Sequence, residues 1–377
     1  MNFDPNEEQQ LLAESVKRFL AKDYDFDTRK KIIASRDGYS GDVWATLSEI
    51  GLLGLPFAPD FGGFGGSAVE MMTVMEAIGD ALVVEPYLST VGLGAQFVAR
   101  AGTPAQQERI LPAVVAGKMK LAFAQTEQGA RYNLAQVCFR ATKRDDDYIL
   151  DGNKHAVNDA PCADQLVVSA RTAGEAADAI GISLFIVDAN AQGVALKSSR
   201  TLDGHRSADI AFNAVTVPVD ALIGNEGDAL PLIEHVTDYA TALLCAEAVG
   251  ALKFANGATL EYLKTRRQFG VPIGSFQALQ HRMVDMVISY EQVKSMASLA
   301  CASVDSRADP AERKRIVSAA KIKIADACRH VSQEAIQLHG GMGMSDELKI
   351  SHTFRRLTMI AQQFGDAEHH LERFANA

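Results

Sequence analysis

The sequence predicts an α+β fold in three parts: an N-terminal all-α domain, a middle antiparallel β domain and a C-terminal four-helix bundle. Two changes of hydrophobic period carry this expectation. Apolar residues recur at helical spacing until short strand-like runs begin near Leu121, and helical spacing returns near Leu230. The third observation is length, because 377 residues suffice for two or three domains with a substantial core. The expected boundaries are 1–120, 121–228 and 229–377.

The opening is a helix. Asp4 can cap it, Pro5 suits the first turn and Glu7 completes a capping box. Leu11, Leu12, Val16, Phe19 and Leu20 then form one apolar stripe. More helix follows around Trp44–Leu53. The Gly-rich run Asp60–Gly66 is not GxGxxG and follows no clear strand, so it serves as turn punctuation. Helical spacing resumes over Ala68–Arg100 and Pro104–Ala116.

Strand-like runs include Tyr148–Gly152, Leu166–Val168, Ile182–Asp188 and the alternating Ile210, Phe212, Val215 and Val217. Short runs punctuated by turn residues imply an antiparallel sheet. The last part holds four Ala-rich helical segments: Leu230–Arg267, Phe276–Val304, Ala311–His339 and Asp346–Gln363. Long helices joined by short turns favour a bundle. Asp309-Pro310 is a surface turn between two of them.

The net charge of −10 argues against non-specific nucleic-acid binding. It leaves room for a phosphate-bearing ligand, which needs only a few local cations and backbone donors. The cysteines Cys138, Cys162, Cys245, Cys301 and Cys328 have no CxxC spacing and are expected to be reduced and packed. His281, His339, His352, His369 and His370 form no ligand set, so no metal is expected. The acidic start MNFDPNEEQQ lacks the blocks of a signal peptide, and no apolar run is long enough to span a membrane. A cytoplasmic location is the expectation.

Two C-terminal motifs carry the chemistry: Arg266-Arg267-Gln268-Phe269-Gly270 with Phe276-Gln277, and Gln337 to Gly343. A dinucleotide pyrophosphate needs a fixed cation and backbone N–H donors that can come close. Arg266 offers a bidentate phosphate contact. Gly340 and Gly341 permit close backbone approach, Gln337 can bond a ribose or amide edge, and Phe269 offers an aromatic face. The competing account is a solvated helix end at Arg266-Arg267 and a simple helix cap at Gly340-Gly341.

These motifs resemble the FAD-binding half of the acyl-CoA dehydrogenase family, and the likeness extends over essentially the whole chain. Gly51–Leu55 with Gly62-Gly63, Leu121–Glu127 and Val215–Pro218 are similar to that family's earlier domains. The closest subgroup is the small-subunit type of pimeloyl-CoA dehydrogenase, a heteromeric branch. It is matched by Glu127–Tyr132, Leu243–Gly250 and Phe276–Arg282. The resemblance implies an acyl-CoA dehydrogenase-like fold, an acyl-CoA substrate and electron-transferring flavoprotein as acceptor. It also implies that Arg266, Phe269, Gln277, Gln337, Gly340 and Gly341 hold the FAD of a neighbouring subunit, hence a homo- or heterotetramer.

On the flavin-ring side the resemblance implies contacts from Phe123, Thr126 and Asn158. The family's flavin-shielding Trp falls on Ala156. Arg131 either meets a CoA phosphate or a distal substrate carboxylate, or forms a surface ion pair.

In this family a buried carboxylate removes the thioester α-proton while hydride leaves the β-carbon. That Glu falls on Gly365, which has no side chain. Asp366, adjacent, is either a substitute base or the N-cap of the helix that follows. A second family location for the base falls on Ala240. Glu247 is either a buried acid or a paired structural residue. Three readings follow: a dehydrogenase subunit completed by a partner, a self-sufficient dehydrogenase or oxidase using Asp366, and a non-catalytic structural partner.

Overall fold

The computed structural model describes residues 7–305 and 309–377. The expected Asp4-Pro5 start and the Leu11 and Leu12 side chains lie outside the described part. In chain order the first helices are α1 (Glu7–Asp23), α2 (Phe26–Ala34), α3 (Gly41–Glu49), α4 (Ala68–Ala81), α5 (Ala95–Ala101) and α6 (Pro104–Val115). Strands follow: β1 (Leu121–Ala124), β2 (Arg140–Arg144), β3 (Asp147–Asn158), β4 (Gln165–Arg171), β5 (Ile182–Asp188), β6 (Val194–Arg200), β7 (Arg206–Pro218) and β8 (Leu222–Ile223). The chain then enters α7 (Leu230–Thr265), a hairpin of β9 (Arg267–Gln268) and β10 (Val271–Pro272), and helices α8 (Gln277–Val304), α9 (Pro310–His339), α10 (Lys349–Gln362) and α11 (Ala367–Ala375).

The continuous helical spacing over Ala68–Arg100 resolves into three pieces. Leu82 adopts a left-handed φ of 58° and stops α4. Pro86 follows, and Leu88–Gly94 winds as a fully buried π-helical segment before α5. The four expected C-terminal segments are α7 to α10. A fifth helix, α11, follows Gly365 and Asp366.

The chain forms two compact units. One comprises Met1–Lys31, Ser67–Val83 and Thr241–Ala377; the other comprises Ile32–Gly66 and Val84–Ala240. In the first, α9 packs against α8, α10 and α11. α4 and α7 meet backbone to backbone at two glycines. A Cβ on Gly79 would lie 1.9 Å from the Glu247 carbonyl oxygen, and one on Gly250 would lie 1.8 Å from that of Glu76. Any larger residue at either position would force these helices apart.

The second unit holds an eight-stranded sheet in the order β6-β7-β3-β2-β4-β5-β8, with β1 beside β4. The ladders are antiparallel except β1 on β4 and a single β2–β4 step at Arg140 and Arg171. The four residues of β1 carry no period that could announce this parallel pairing. β4 and β5 are buried along nearly their whole length, as strands covered on both faces are. β3 and β7 are longer than the short runs expected, and their ladder shifts register between Lys154 and Val157.

Candidate functional site

The two C-terminal motifs come together at one end of the first unit. The Tyr262 ring, in the last turn of α7, stacks on the His339 ring at the end of α9, with centroids 4.5 Å apart. The Tyr262 carbonyl accepts the Arg266 N–H at 2.8 Å. His339 leads directly into Gly340-Gly341. Burial holds the His339 pKa below its ordinary value, so at neutral pH the ring is neutral and packs as an aromatic.

The β9–β10 hairpin turns through Phe269 and Gly270, whose φ values of 52° and 81° are both left-handed. A two-residue turn of this kind matches the strand twist. The Arg267 guanidinium donates to the Gly270 carbonyl at 3.1 Å and fixes the tip. Glycine suits such a turn, but phenylalanine does not. The Phe269 ring is nevertheless 90% exposed and meets the Phe276 ring edge-on, with centroids 6.1 Å apart. Neither packing nor backbone preference within this chain accounts for an aromatic there.

The glycines differ in the same informative way. A Cβ on Gly343 would lie 2.7 Å from the Ile336 carbonyl, so that glycine serves the fold. A Cβ on Gly340 or Gly341 would meet no atom of this chain within 4 Å. Gly341 also has no left-handed φ to explain it. Arg266, Gln277 and Gln337 are exposed, and Arg266 pairs with no carboxylate among the described residues. An unpaired cation, an exposed ring and open glycines at one end of a unit fit a phosphate-bearing aromatic cofactor.

On the sheet unit, Phe123 packs against Phe97 with ring centroids 4.5 Å apart, which leaves it only partly exposed. Thr126 is exposed, and its carbonyl accepts the His155 N–H at 2.8 Å. This bond ties Thr126 to the β3 irregularity. There Ala156 has a φ of 48° and donates its N–H to the Asp209 carboxylate at 3.0 Å. Asn158 closes β3 opposite Ser207. Arg131 is exposed, has a left-handed φ of 49°, and makes no ion pair among the described residues. The surface ion pair offered as its alternative is therefore absent there.

The pair beneath this segment had no sequence signal. Lys154, fully buried, donates to Glu127 at 2.7 Å and to the Ser169 hydroxyl at 3.0 Å. Glu127 in turn accepts the Cys138 N–H at 2.7 Å. Burial pulls the Lys154 pKa below the ordinary lysine value against the pull of Glu127.

The position that the resemblance gives to the base is closed to a side chain. Gly365 is buried with a φ of 123°. A Cβ there would lie 2.6 Å from His369 Cδ2 and 2.7 Å from His370 Nε2. Asp366 caps α11, its carboxylate accepting the His369 N–H at 2.9 Å. Ala240 is buried and carries no titratable group. Glu247 is a paired residue: Arg356 grips it through Nε at 2.5 Å and Nη2 at 2.8 Å, both side chains being buried. No group of three or more His, Cys, Asp or Glu suited to a metal occurs among the described residues. None of the helices searched is long and apolar enough to cross a membrane.

A helical region, a mostly antiparallel sheet and a helical bundle bearing these motifs define a flavin-dependent dehydrogenase architecture. The chain belongs to the acyl-CoA dehydrogenase family. It matches the family's N-terminal domain over residues 6–118, its middle domain over 122–215 and its C-terminal domain over 230–377. Members of this family bind FAD. The chain is 27% identical to the "Probable acyl-CoA dehydrogenase YngJ" of Bacillus subtilis, over 100% of this chain and 99% of that protein. Its fold superposes on the ChsE4–ChsE5 complex from Mycobacterium tuberculosis with a TM-score of 0.90, at 25% identity over 100% of this chain and 98% of the other. It superposes on the FAD complex of PigA with a TM-score of 0.92, at 26% identity over 100% and 98%.

Proposed function

We propose that this chain is one subunit of a heteromeric FAD-dependent acyl-CoA dehydrogenase, and that a partner subunit supplies the catalytic base. The observation that carries this reading is Gly365, a position without a side chain, at positive φ and walled by His369 and His370. Asp366 is engaged as a helix cap, which weakens the self-sufficient reading. The two-chain ChsE4–ChsE5 neighbour is in keeping with a heteromer. Within the family, the small-subunit type of pimeloyl-CoA dehydrogenase is the branch we favour.

In this reading Arg266, Phe269, Gln277, Gln337, Gly340 and Gly341 serve an FAD between subunits of a tetramer. Phe123, Thr126 and Asn158 serve the flavin edge, and Arg131 meets an anionic group of the substrate. FAD held by these residues would supply an acceptor for hydride from the substrate β-carbon, with electron-transferring flavoprotein as the onward acceptor that the family implies. The enzyme acts in the cytoplasm.

The test is turnover of acyl-CoA by the chain alone and with its partner. General-base catalysis contributes roughly 10²–10⁴-fold. Activity should rise by about that factor when the partner is added. Full activity of the isolated chain would overturn the proposal.

A further inference from the structure

Arg171 ends β4 and is only 1% exposed, yet its guanidinium hydrogen-bonds to no carboxylate among the described residues. All five of its N–H donors go to carbonyl oxygens instead. Nε bonds Val137 at 3.3 Å, Nη1 bonds Asp178 and Ile180 at 2.9 Å each, and Nη2 bonds Ala135 and Ala176 at 2.9 Å each. A guanidinium offers five donors in a rigid fork, and here every one is used. Two loops, 134–139 and 172–181, are thereby sewn to one side chain. The Val137 N–H adds a cross-stitch to the Ala176 carbonyl at 2.8 Å.

The first of these loops is the downstream arm of the segment that carries Arg131. Its upstream arm is held by the Glu127 carboxylate, which accepts the Phe139 N–H at 3.2 Å. Between the arms, Gln128, Gly129, Arg131 and Asn133 reach the surface, and Arg131 stands there on a left-handed backbone. A non-glycine residue persists in that conformation only where surrounding structure enforces it. The Ala130 N–H to the Glu127 carbonyl at 3.2 Å and the Asn133 N–H to the Ala130 carbonyl at 3.0 Å close the turn itself, and the bonds of Arg171 and of the Glu127 carboxylate anchor its two arms.

We propose that Arg171 is a positioning residue: it holds the Arg131 segment ready to receive an anionic group of an acyl-CoA, a phosphate or a distal carboxylate. The inference rests on the reading of Arg131 given above. Lysine cannot substitute, because it carries three donors on one atom and cannot reach carbonyls on both sides of a plane.

The experiment uses the full chain, with CoA and free glutarate as probes, and compares wild type, Arg131→Ala, Arg171→Lys and the double variant. Arg171→Lys should weaken binding of the recognised probe roughly 10-fold or more. It should weaken binding no further in the Arg131→Ala background. Binding of CoA identifies a phosphate, and binding of glutarate alone identifies a carboxylate. Hydrogen exchange should speed up at Val137 and its neighbours while the α9 amides keep their protection. If wild type binds a probe and Arg171→Lys binds it equally well, the proposal falls alone. Additive losses in the double variant, or faster exchange spread evenly over the chain, would also overturn it, because they mark a purely structural role. If wild type binds neither probe, the Arg131 reading falls and takes the proposal with it.

Discussion

The buried Lys321 ammonium donates to the Gly365 carbonyl at 2.7 Å and to the Ala361 carbonyl at 3.2 Å. It thus ties the C-terminal end of α10 to the turn that precedes α11. Burial holds its pKa below the ordinary lysine value. The turn is built around a residue with no side chain, and His370 fills the space beside it.

Restoring a carboxylate at this position should therefore fail. Gly365→Glu must adopt a φ of 123° and push into His369 and His370. Backbone strain of this kind costs roughly 1–3 kcal/mol before any clash is counted. Chemical denaturation should show at least that loss, and dehydrogenation by the isolated chain should not rise. A stable and newly active Gly365→Glu chain would show that the base site is open.

Asp366 should behave as a cap. Asparagine serves an N-cap about as well as aspartate, whereas alanine costs roughly 0.5–2 kcal/mol. Asp366→Asn should leave both stability and the activity of the complete enzyme unchanged, and Asp366→Ala should lower stability alone. A loss of roughly 10²–10⁴-fold in turnover for Asp366→Asn would instead identify it as a base.

The dinucleotide motifs can be separated from the fold by two substitutions. Arg266→Ala removes a charge-assisted contact and should cost FAD roughly 1.5–3 kcal/mol of binding, about 10- to 150-fold in affinity. Gly341→Ala adds a methyl group that meets nothing within this chain, so its unfolding midpoint should not move. FAD affinity in the complete oligomer should nonetheless fall. Calorimetric titration of the apo-oligomer with FAD checks both, and unchanged affinity in both variants would remove the assignment.

Glu247 and Arg356 form a buried bidentate pair, and removing one partner leaves a charge without compensation. Glu247→Ala should destabilise the chain by roughly 3–5 kcal/mol. Replacing both with apolar residues of similar volume should recover much of that loss, because the desolvation penalty disappears with the charges. Urea titrations of the single and double variants decide this.

Much of the fold was legible because period survives in single sequences. The long helices α7 to α10 and the change to strands at Leu121 follow directly from apolar spacing. The parallel placement of β1 and the π-helical segment were not legible, since each depends on a partner distant in sequence. The two C-terminal motifs were legible in the sequence, and the Tyr262–His339 stack explains how these distant segments share one end of a unit. The Glu127–Lys154 pair and the Arg171 knot were invisible. A buried charge leaves no period, and its partner is chosen by the fold. Asp366 was legible in both of its roles, and the hydrogen bond it accepts from the His369 N–H gives it the geometry of the cap.

The same turn should make the protein sensitive to acid. His370 is 2% exposed, donates to the Phe364 carbonyl and faces the Ser318 hydroxyl. Burial pushes its pKa down to about 2, helped by Lys321 from α9 and by His369 and Arg373 on α11. An unfolded histidine takes its proton near pH 6.5. Between those values the unfolded chain holds a proton that the folded chain refuses, so stability rises with pH through the window. His370 therefore contributes nothing adverse above pH 6.5 and costs up to about 1.4 kcal/mol per pH unit below it. His339, His352 and His369 are shifted the same way and add to the slope. His370→Gln keeps a donor for the Phe364 carbonyl but cannot titrate. Unfolding free energies at pH 7 and pH 5 should differ less for this variant than for wild type, by about one proton's worth of slope. Parallel profiles would mean that His370 is already protonated in the folded chain, and that the space beside Gly365 is wetter than its packing implies.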